Sequence, residues 1–230
     1  MTNNTLFFIH AASILIFLYT CLRLGKEALM AFVAGTWIAA NFYATKEILL
    51  FGFEVTASDV YTIGAMMGLF LIQEYWGKLA VRATLHLSFL LLFFAALTSY
   101  FHVQYTPSTH DTMHTTFERL LAPTPRLAIA SFVSFVIVQY LEIALFQLFQ
   151  KAQRIPLSIR AFSVGAITQC LDTLLFSILG LSGIVHSLVD IFVVSYFIKL
   201  IVLAVASPTL SLSHHFLPKD YDKQQLPLSI

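Results

Sequence analysis

Seven long apolar runs, each broken from the next by charges or turn formers, dominate the chain. They cover about Thr5–Leu22, Ala28–Thr45, Asp59–Trp76, Thr84–Phe101, Leu127–Phe149, Ile159–Leu181 and Ser187–Ser207. Each approaches the roughly 20 apolar residues that an α-helix needs to cross the hydrocarbon core. The breaks are Arg23 to Glu27, Gly77-Lys78, Pro123 to Pro125, Lys151 to Pro156 and Ser182-Gly183. This pattern predicts an all-α integral membrane protein, with residues 1–208 forming a single transmembrane domain. The stretch 209–230 is polar and proline-containing, and reads as a loosely ordered C-terminal tail. Ile48 to Phe53 is apolar but too short to cross. It predicts a short re-entrant or interfacial segment near 48–55, because backbone at membrane depth must be buried or line a cavity.

Composition sharpens the class. The chain is 58% hydrophobic and 11% charged, against about a quarter charged in soluble domains. The net charge of +1 and the lack of a Gly-rich phosphate loop or basic stripe exclude a nucleic-acid partner. Lys and Arg fall unevenly between the two sides. Nine lie on one side (Arg23, Lys26, Lys78, Arg82, Lys151, Arg154, Arg160, Lys219, Lys223) and three on the other (Lys46, Arg119, Arg126). The positive-inside rule then predicts a cytoplasmic C-terminus and an external N-terminus in a multi-pass inner-membrane protein. The first run lacks a basic n-region and a cleavage site, and reads as a retained helix.

Polar positions inside the apolar runs are the candidate site. An ionised side chain near mid-span costs about 2.5–3.5 kcal/mol on insertion scales. Such groups persist where they line a cavity or pair. Two runs carry a glutamine three residues before an acid: Gln139 with Glu142, and Gln169 with Asp172. That spacing puts both members on one helix face. Lys199 lies inside a third run. The three charges could meet in one cavity, and one lysine cannot neutralise two acids. The alternative is a structural network in which the lysine balances one acid and the amides join helices. A cavity of carboxylates and amides suits a heterocycle presenting N–H and NH₂ side by side, a donor fork. Tyr140, Phe176, Tyr196 and Phe197 are candidate ring-stacking neighbours, although with 22 Phe in the chain most aromatics face lipid or pack.

Asn41, near the end of the second run, reads equally as a substrate contact or an interhelical hydrogen bond. Glu74 reads as a site acid or as a surface acid beside Lys78. His110 and His114 have ligand-like spacing but no third ligand in sequence, so no metal site is expected. Cys21 and Cys170 are too few for a metal cage and are expected to pack rather than pair. No cofactor is implied. No nucleophile elbow, zinc-protease helix or intramembrane aspartyl pair is present, so an enzyme is not expected.

Several of these segments together resemble a known family. Ala130-Ser131-Phe132 followed by Gln139, Glu142 and Phe146 resembles the fifth-span pattern of the YhhQ-type queuosine precursor transporters, also called the VUT family. Gln169, Asp172, Thr173 and Phe176 are similar to its Asp-Thr motif. Tyr196 and Lys199 followed by Pro208 are similar to its last span, and Glu74 to Lys78 with Arg82 to its Glu-x-Tyr-Gly-Lys segment. Asn41 and Gly52 match the start of its core. The likeness runs from about Ala34 to Pro208. Three departures stand out: Glu142 where Asp is usual, Phe70 where an acid is frequent, and Val164-Gly165 where small hydroxyl residues are frequent.

The resemblance implies a six-helix core like the membrane substrate-binding components of vitamin-uptake systems, preceded here by an extra N-terminal helix. It also implies import of a 7-deazaguanine (preQ0, preQ1 or queuine) for tRNA modification. Gln139, Glu142, Gln169, Asp172, Lys199, Tyr196, Asn41 and Glu74 are the expected substrate-binding residues. The expected partners are a small heterocyclic substrate and membrane lipid, with a homodimer left open. The alternatives are an importer of another vitamin-like heterocycle, proton-coupled or not, and a non-transporting assembly subunit.

Overall fold

The computed structural model describes residues 2–43, 46–56, 58–121, 125–151, 155–182, 188–218 and 221. Its helices are α1 (Asn3–Leu24), α2 (Lys26–Tyr43), α3 (Asp59–Gln104), α4 (His114–Leu121), α5 (Pro125–Lys151), α6 (Leu157–Phe176) and α7 (Leu188–Leu210). A π-turn, Ser177–Leu181, extends α6. Among the described residues five helices are long and apolar enough to span a membrane: α1, α3, α5, α6 and α7. The protein is an all-α, multi-pass membrane protein.

Helix α3 holds two of the expected spans. Its 46 residues would make a straight rod about 70 Å long, more than twice the roughly 30 Å core. The chain leaves helical geometry at Gly77 (φ 77, ψ 179), a left-handed φ that glycine adopts without a Cβ penalty. It reverses there. Glu74 is bonded by Gln150 near the end of α5, whereas Phe89 packs on Phe132 and Phe135 in the first half of α5. Segments 59–76 and 78–104 are thus the third and fourth spans. The break expected at Gly77-Lys78 is the single residue Gly77, with helix resuming at once. Together with the 18-residue α2, the helical segments of spanning scale among the described residues number seven.

Gly25 (φ 111) makes the same kind of reversal between α1 and α2, its N–H reaching the Cys21 and Leu22 carbonyls. The start of α1 therefore returns to the segment after α2. There the short apolar stretch forms an antiparallel hairpin, β1 (Glu47–Leu50) and β2 (Phe53–Thr56), with Ile48 opposite Val55 and Leu50 opposite Phe53. Phe51 (φ 51) and Gly52 (φ 89) form its two-residue turn, positive at both central positions as a type I′ turn requires. Asn3 donates to the Leu49 carbonyl (2.9 Å) and Asn4 accepts from the Phe51 N–H (2.9 Å). Leu50 and Val55 are buried. The hairpin lies over the N-terminal end of α1, with its facing backbone groups paired across the two strands.

The first half of α3 is buried on all sides because α1 and α2 approach it closely at Gly64 and Gly68. A Cβ at Gly64 would run into Ile14, and one at Gly68 into Val33. Small residues four apart let membrane helices pack at backbone distance. Gly68→Leu is therefore expected to destabilise the protein by about 1–3 kcal/mol through overpacking. Thermal unfolding in detergent checks this, and an unchanged midpoint would disprove the contact. On the outer faces Phe17, Phe93, Phe94, Leu148 and Phe197 stay exposed, as lipid-facing positions do.

Helix α7 continues through Pro208 to Leu210. The following turn, Ser213–Phe216, is packed rather than loose: Ser213 is buried and its hydroxyl lies 2.6 Å from that of Tyr75. Tyr221 donates to the Tyr75 carbonyl (2.9 Å). Residues 219, 220 and 222–230 of the expected tail lie outside the described residues. Between α3 and α5, α4 forms one short helix.

Candidate substrate-binding site

Helices α3, α5, α6 and α7 bring their polar residues to one interior column, in layers set by the helical rise. The lowest layer, toward the end bearing Arg23, Lys26 and Lys78, is an ion pair. Arg160 donates from both guanidinium ends to Glu74, at 2.7 and 2.6 Å, and Gln150 adds a bond to the same carboxylate at 3.2 Å. Arg160 also lies 5.5 Å from the centroid of the Phe146 ring. Phe146 stacks on Phe70 at 4.8 Å, and both rings are buried. A stacked aromatic pair thus fills this level of the column.

Thr168, Gln169 and Glu142 form the middle layer, about 12 Å further along α6 from Arg160. Glu142 is 2% exposed, Gln139 1% and Gln169 2%. The Thr168 hydroxyl reaches Glu142 Oε2 at 3.4 Å, while also lying 3.0 Å from the Val164 carbonyl. No ion pair among the described residues includes Glu142. Gln73 spans from α3 to the Ile143 carbonyl of α5 (3.0 Å), and Gln169 Nε2 faces the Met66 sulfur (3.6 Å). Two acceptors remain buried without a hydrogen-bond partner among the described residues, Gln139 Oε1 and Gln169 Oε1.

One turn higher, Lys199 at the midpoint of α7 donates to Asp172 Oδ2 (2.9 Å) and to the Thr173 hydroxyl (3.3 Å). Asp172 keeps 18% of its side chain exposed, Lys199 9%. Tyr196, one turn from Lys199, ties α7 to α6 through the Ala166 carbonyl (3.0 Å). Asp59, in the first turn of α3, is 4% exposed, and its Oδ2 has no hydrogen-bond partner among the described residues.

Of the residues singled out in the sequence, Gln139, Glu142, Gln169, Asp172, Lys199 and Tyr196 share this α5–α6–α7 column. Lys199 meets Asp172 directly, while Glu142 sits a turn away beside Thr168. Glu74 is held at the column's lower end, and its partner is Arg160, not Lys78. Asn41 bonds the Trp37 carbonyl of its own helix (2.9 Å) and does not join the others. Tyr140 and Phe197 point outward, 46% and 60% exposed, away from any ring-stacking role in the column. No group of three or more His, Cys, Asp and Glu side chains suited to a metal occurs among the described residues.

Sequence reasoning missed Asp59, Thr168, Arg160 and Gln73. In the sequence Asp59 is only the first residue of the third apolar run, and Arg160 counts as a topology marker. An arginine four residues into an apolar helix was the available signal.

Residues 56–213 match the family model described as "Putative vitamin uptake transporter". The chain belongs to this family. The match begins at the hairpin's last residue and covers all four helices of the column, leaving α1 and α2 outside it. The chain is also similar to a protein of Bacillus subtilis (strain 168) named "Probable queuosine precursor transporter". The two are 25% identical over 201 residues, covering 85% of this chain and 87% of the relative. No solved structure gives a significant match. As a member of the vitamin uptake transporter family, the protein has a transporter role.

Proposed function

We propose that the protein imports a queuosine precursor, a 7-deazaguanine such as preQ0, preQ1 or queuine, for use in tRNA modification. One observation carries this reading: the middle of the column is rich in buried acceptors and poor in donors. Gln139 Oε1 and Gln169 Oε1 lack partners among the described residues, and the carboxylate of Glu142 has one distant hydroxyl. A buried acceptor left unmade costs about 1–3 kcal/mol. A ligand edge with adjacent N–H and NH₂ donors would relieve several of these at once, and a carboxylate accepts such a fork in parallel. The name of the Bacillus subtilis relative agrees with that edge chemistry.

Glu142 and Asp172, with Gln139 and Gln169, hold the heterocycle, and Lys199 balances the acids. The stacked Phe70–Phe146 pair and the Arg160–Glu74 bridge close the column toward the Lys/Arg-rich end, which the charge bias assigns to the cytoplasm. Opening that end while closing the other moves the site between faces, as alternating access requires.

Thermal-shift titration of the purified protein with preQ0, preQ1, queuine and guanine side by side tests the assignment. A ligand that binds the folded state at 100 times its Kd stabilises by about 2.7 kcal/mol, so at least one 7-deazaguanine should raise the midpoint more than guanine. Equal or absent shifts with all four compounds would refute the substrate class.

A further inference from the structure

We infer that Trp37 of α2 is a further substrate-binding residue: its indole N–H takes the ring carbonyl of the heterocycle, while the column's acceptors take its donors. This rests on the 7-deazaguanine reading of the column. The edge that presents N–H and NH₂ side by side also carries a carbonyl next to the N–H, an acceptor at one end of the same fork. Gln139 Oε1, Gln169 Oε1 and the Glu142 carboxylate can hold the donors, but none of these oxygens can serve the carbonyl. A site built for the whole edge needs a donor beside them.

Trp37 supplies one. Its side chain is 9% exposed, and Nε1 is buried without a hydrogen-bond partner among the described residues. An indole nitrogen only donates, so it is satisfied only by an acceptor brought to it. Packing places the ring at the column. Phe135, Gln139, Glu142 and Phe146 recur at helical spacing and form one face of α5, and all four are buried. The Trp37 ring meets Phe135 edge to face, with centroids 3.9 Å apart. It therefore covers that face one turn from Gln139, about 6 Å along the axis. Contacts of α2 with α3 give the same level. Val33 lies against Gly68 and Thr36 beside Gly64, and Met66, between those glycines, faces Gln169. The guanidinium nitrogen left unmade, Arg160 Nε, lies at the opposite end of the column, in the bridge to Glu74.

Binding to the full-length protein in detergent tests this with two ligands: the tightest binder among preQ0, preQ1 and queuine, and its thiocarbonyl analogue. The analogue keeps the N–H and NH₂ donors but offers sulfur, a weak acceptor, in place of the carbonyl oxygen. Wild-type protein should prefer the oxygen compound by about tenfold, the order of one well-made hydrogen bond. Trp37→Phe keeps an aromatic ring against Phe135 and removes the N–H. It should weaken the oxygen compound by about tenfold, leave the analogue nearly unchanged, and so abolish the preference. A tryptophan that only packs would weaken the two alike. Equal losses, or no loss for either, would overturn the contact.

A second measurement leaves Trp37 in place. The chain has two tryptophans, Trp37 and Trp76, and Trp76→Phe assigns their indole N–H resonances in an NMR spectrum. Saturating ligand should move the Trp37 resonance downfield, as a newly made hydrogen bond does. A Trp37 resonance unmoved by bound ligand would overturn the proposal even if Trp37→Phe fails to fold. Should none of the three compounds bind wild-type protein, the substrate reading falls and this contact falls with it. Binding that leaves Trp37 indifferent removes the contact alone.

Discussion

Asp172→Ala is expected to reduce uptake of labelled 7-deazaguanine by more than about 100-fold while the protein still inserts and folds. The loss of function has two physical sources. A charge-assisted hydrogen bond to the ligand is removed, and the Lys199 ammonium that Asp172 held at 2.9 Å is released into the site. Truncating one member of a buried ion pair ordinarily destabilises by about 3–5 kcal/mol because the survivor is left uncompensated. Here the ammonium keeps the Thr173 hydroxyl and Asp172 is 18% exposed, so the stability loss should fall below that range even though uptake collapses. That split between function and stability is the distinguishing mark.

The reversal Asp172→Lys with Lys199→Asp sharpens the test. If the pair only holds α6 to α7, the reversed protein keeps both its thermal stability and its uptake. A ligand contact predicts restored stability with no uptake. Wild-type uptake in the reversed protein would sink the assignment of Asp172 to the site.

Arg160→Ala is expected to give one of the largest stability losses available in the molecule, about 3–5 kcal/mol. Arg160 is 8% exposed and supplies both short bonds to Glu74. Its removal leaves that carboxylate with the Gln150 amide at 3.2 Å and strips the Phe146 ring of its cation. Arg160→Lys should recover little, because an ammonium is a point charge and cannot fork across two carboxylate oxygens from one plane. Denaturation in detergent reads this directly. A midpoint unchanged in Arg160→Ala would show that the bridge contributes nothing and that the lower end of the column is held by its aromatic pair alone.

How the site divided between what was legible and what was not follows from the range of the forces involved. Gln139 with Glu142 and Gln169 with Asp172 could be paired on paper because helical periodicity is local: residues three apart share a face whatever the helix packs against. Lys199 was conspicuous because a charge in an apolar run is costly in any arrangement. Glu74 resisted assignment, since Lys78 lies one turn away in sequence while Arg160 is remote and is carried there by the packing of α6. Thr168 could not be placed beside Glu142 from the sequence, because that contact depends on how α6 packs against α5, and no short-range pattern encodes that.

The chain reversals show the same division. Gly77 and Gly25 could be recognised as breaks, but not as single-residue reversals, because the positive φ that turns the chain is a choice glycine permits rather than dictates. Likewise Gly64 and Gly68 are only small residues until Ile14 and Val33 come against them.

Sequence alone determined the membrane class, the apolar spans and the polar side chains inside them, since hydropathy and periodicity act residue by residue. Tertiary structure decided which of those polar groups meet. It chose Asp172 for Lys199 and Arg160 for Glu74, and left Glu142 with a hydroxyl. The reason is physical: an ionic or hydrogen-bonded contact falls off over a few ångströms, and only helix packing sets distances between residues far apart in the chain.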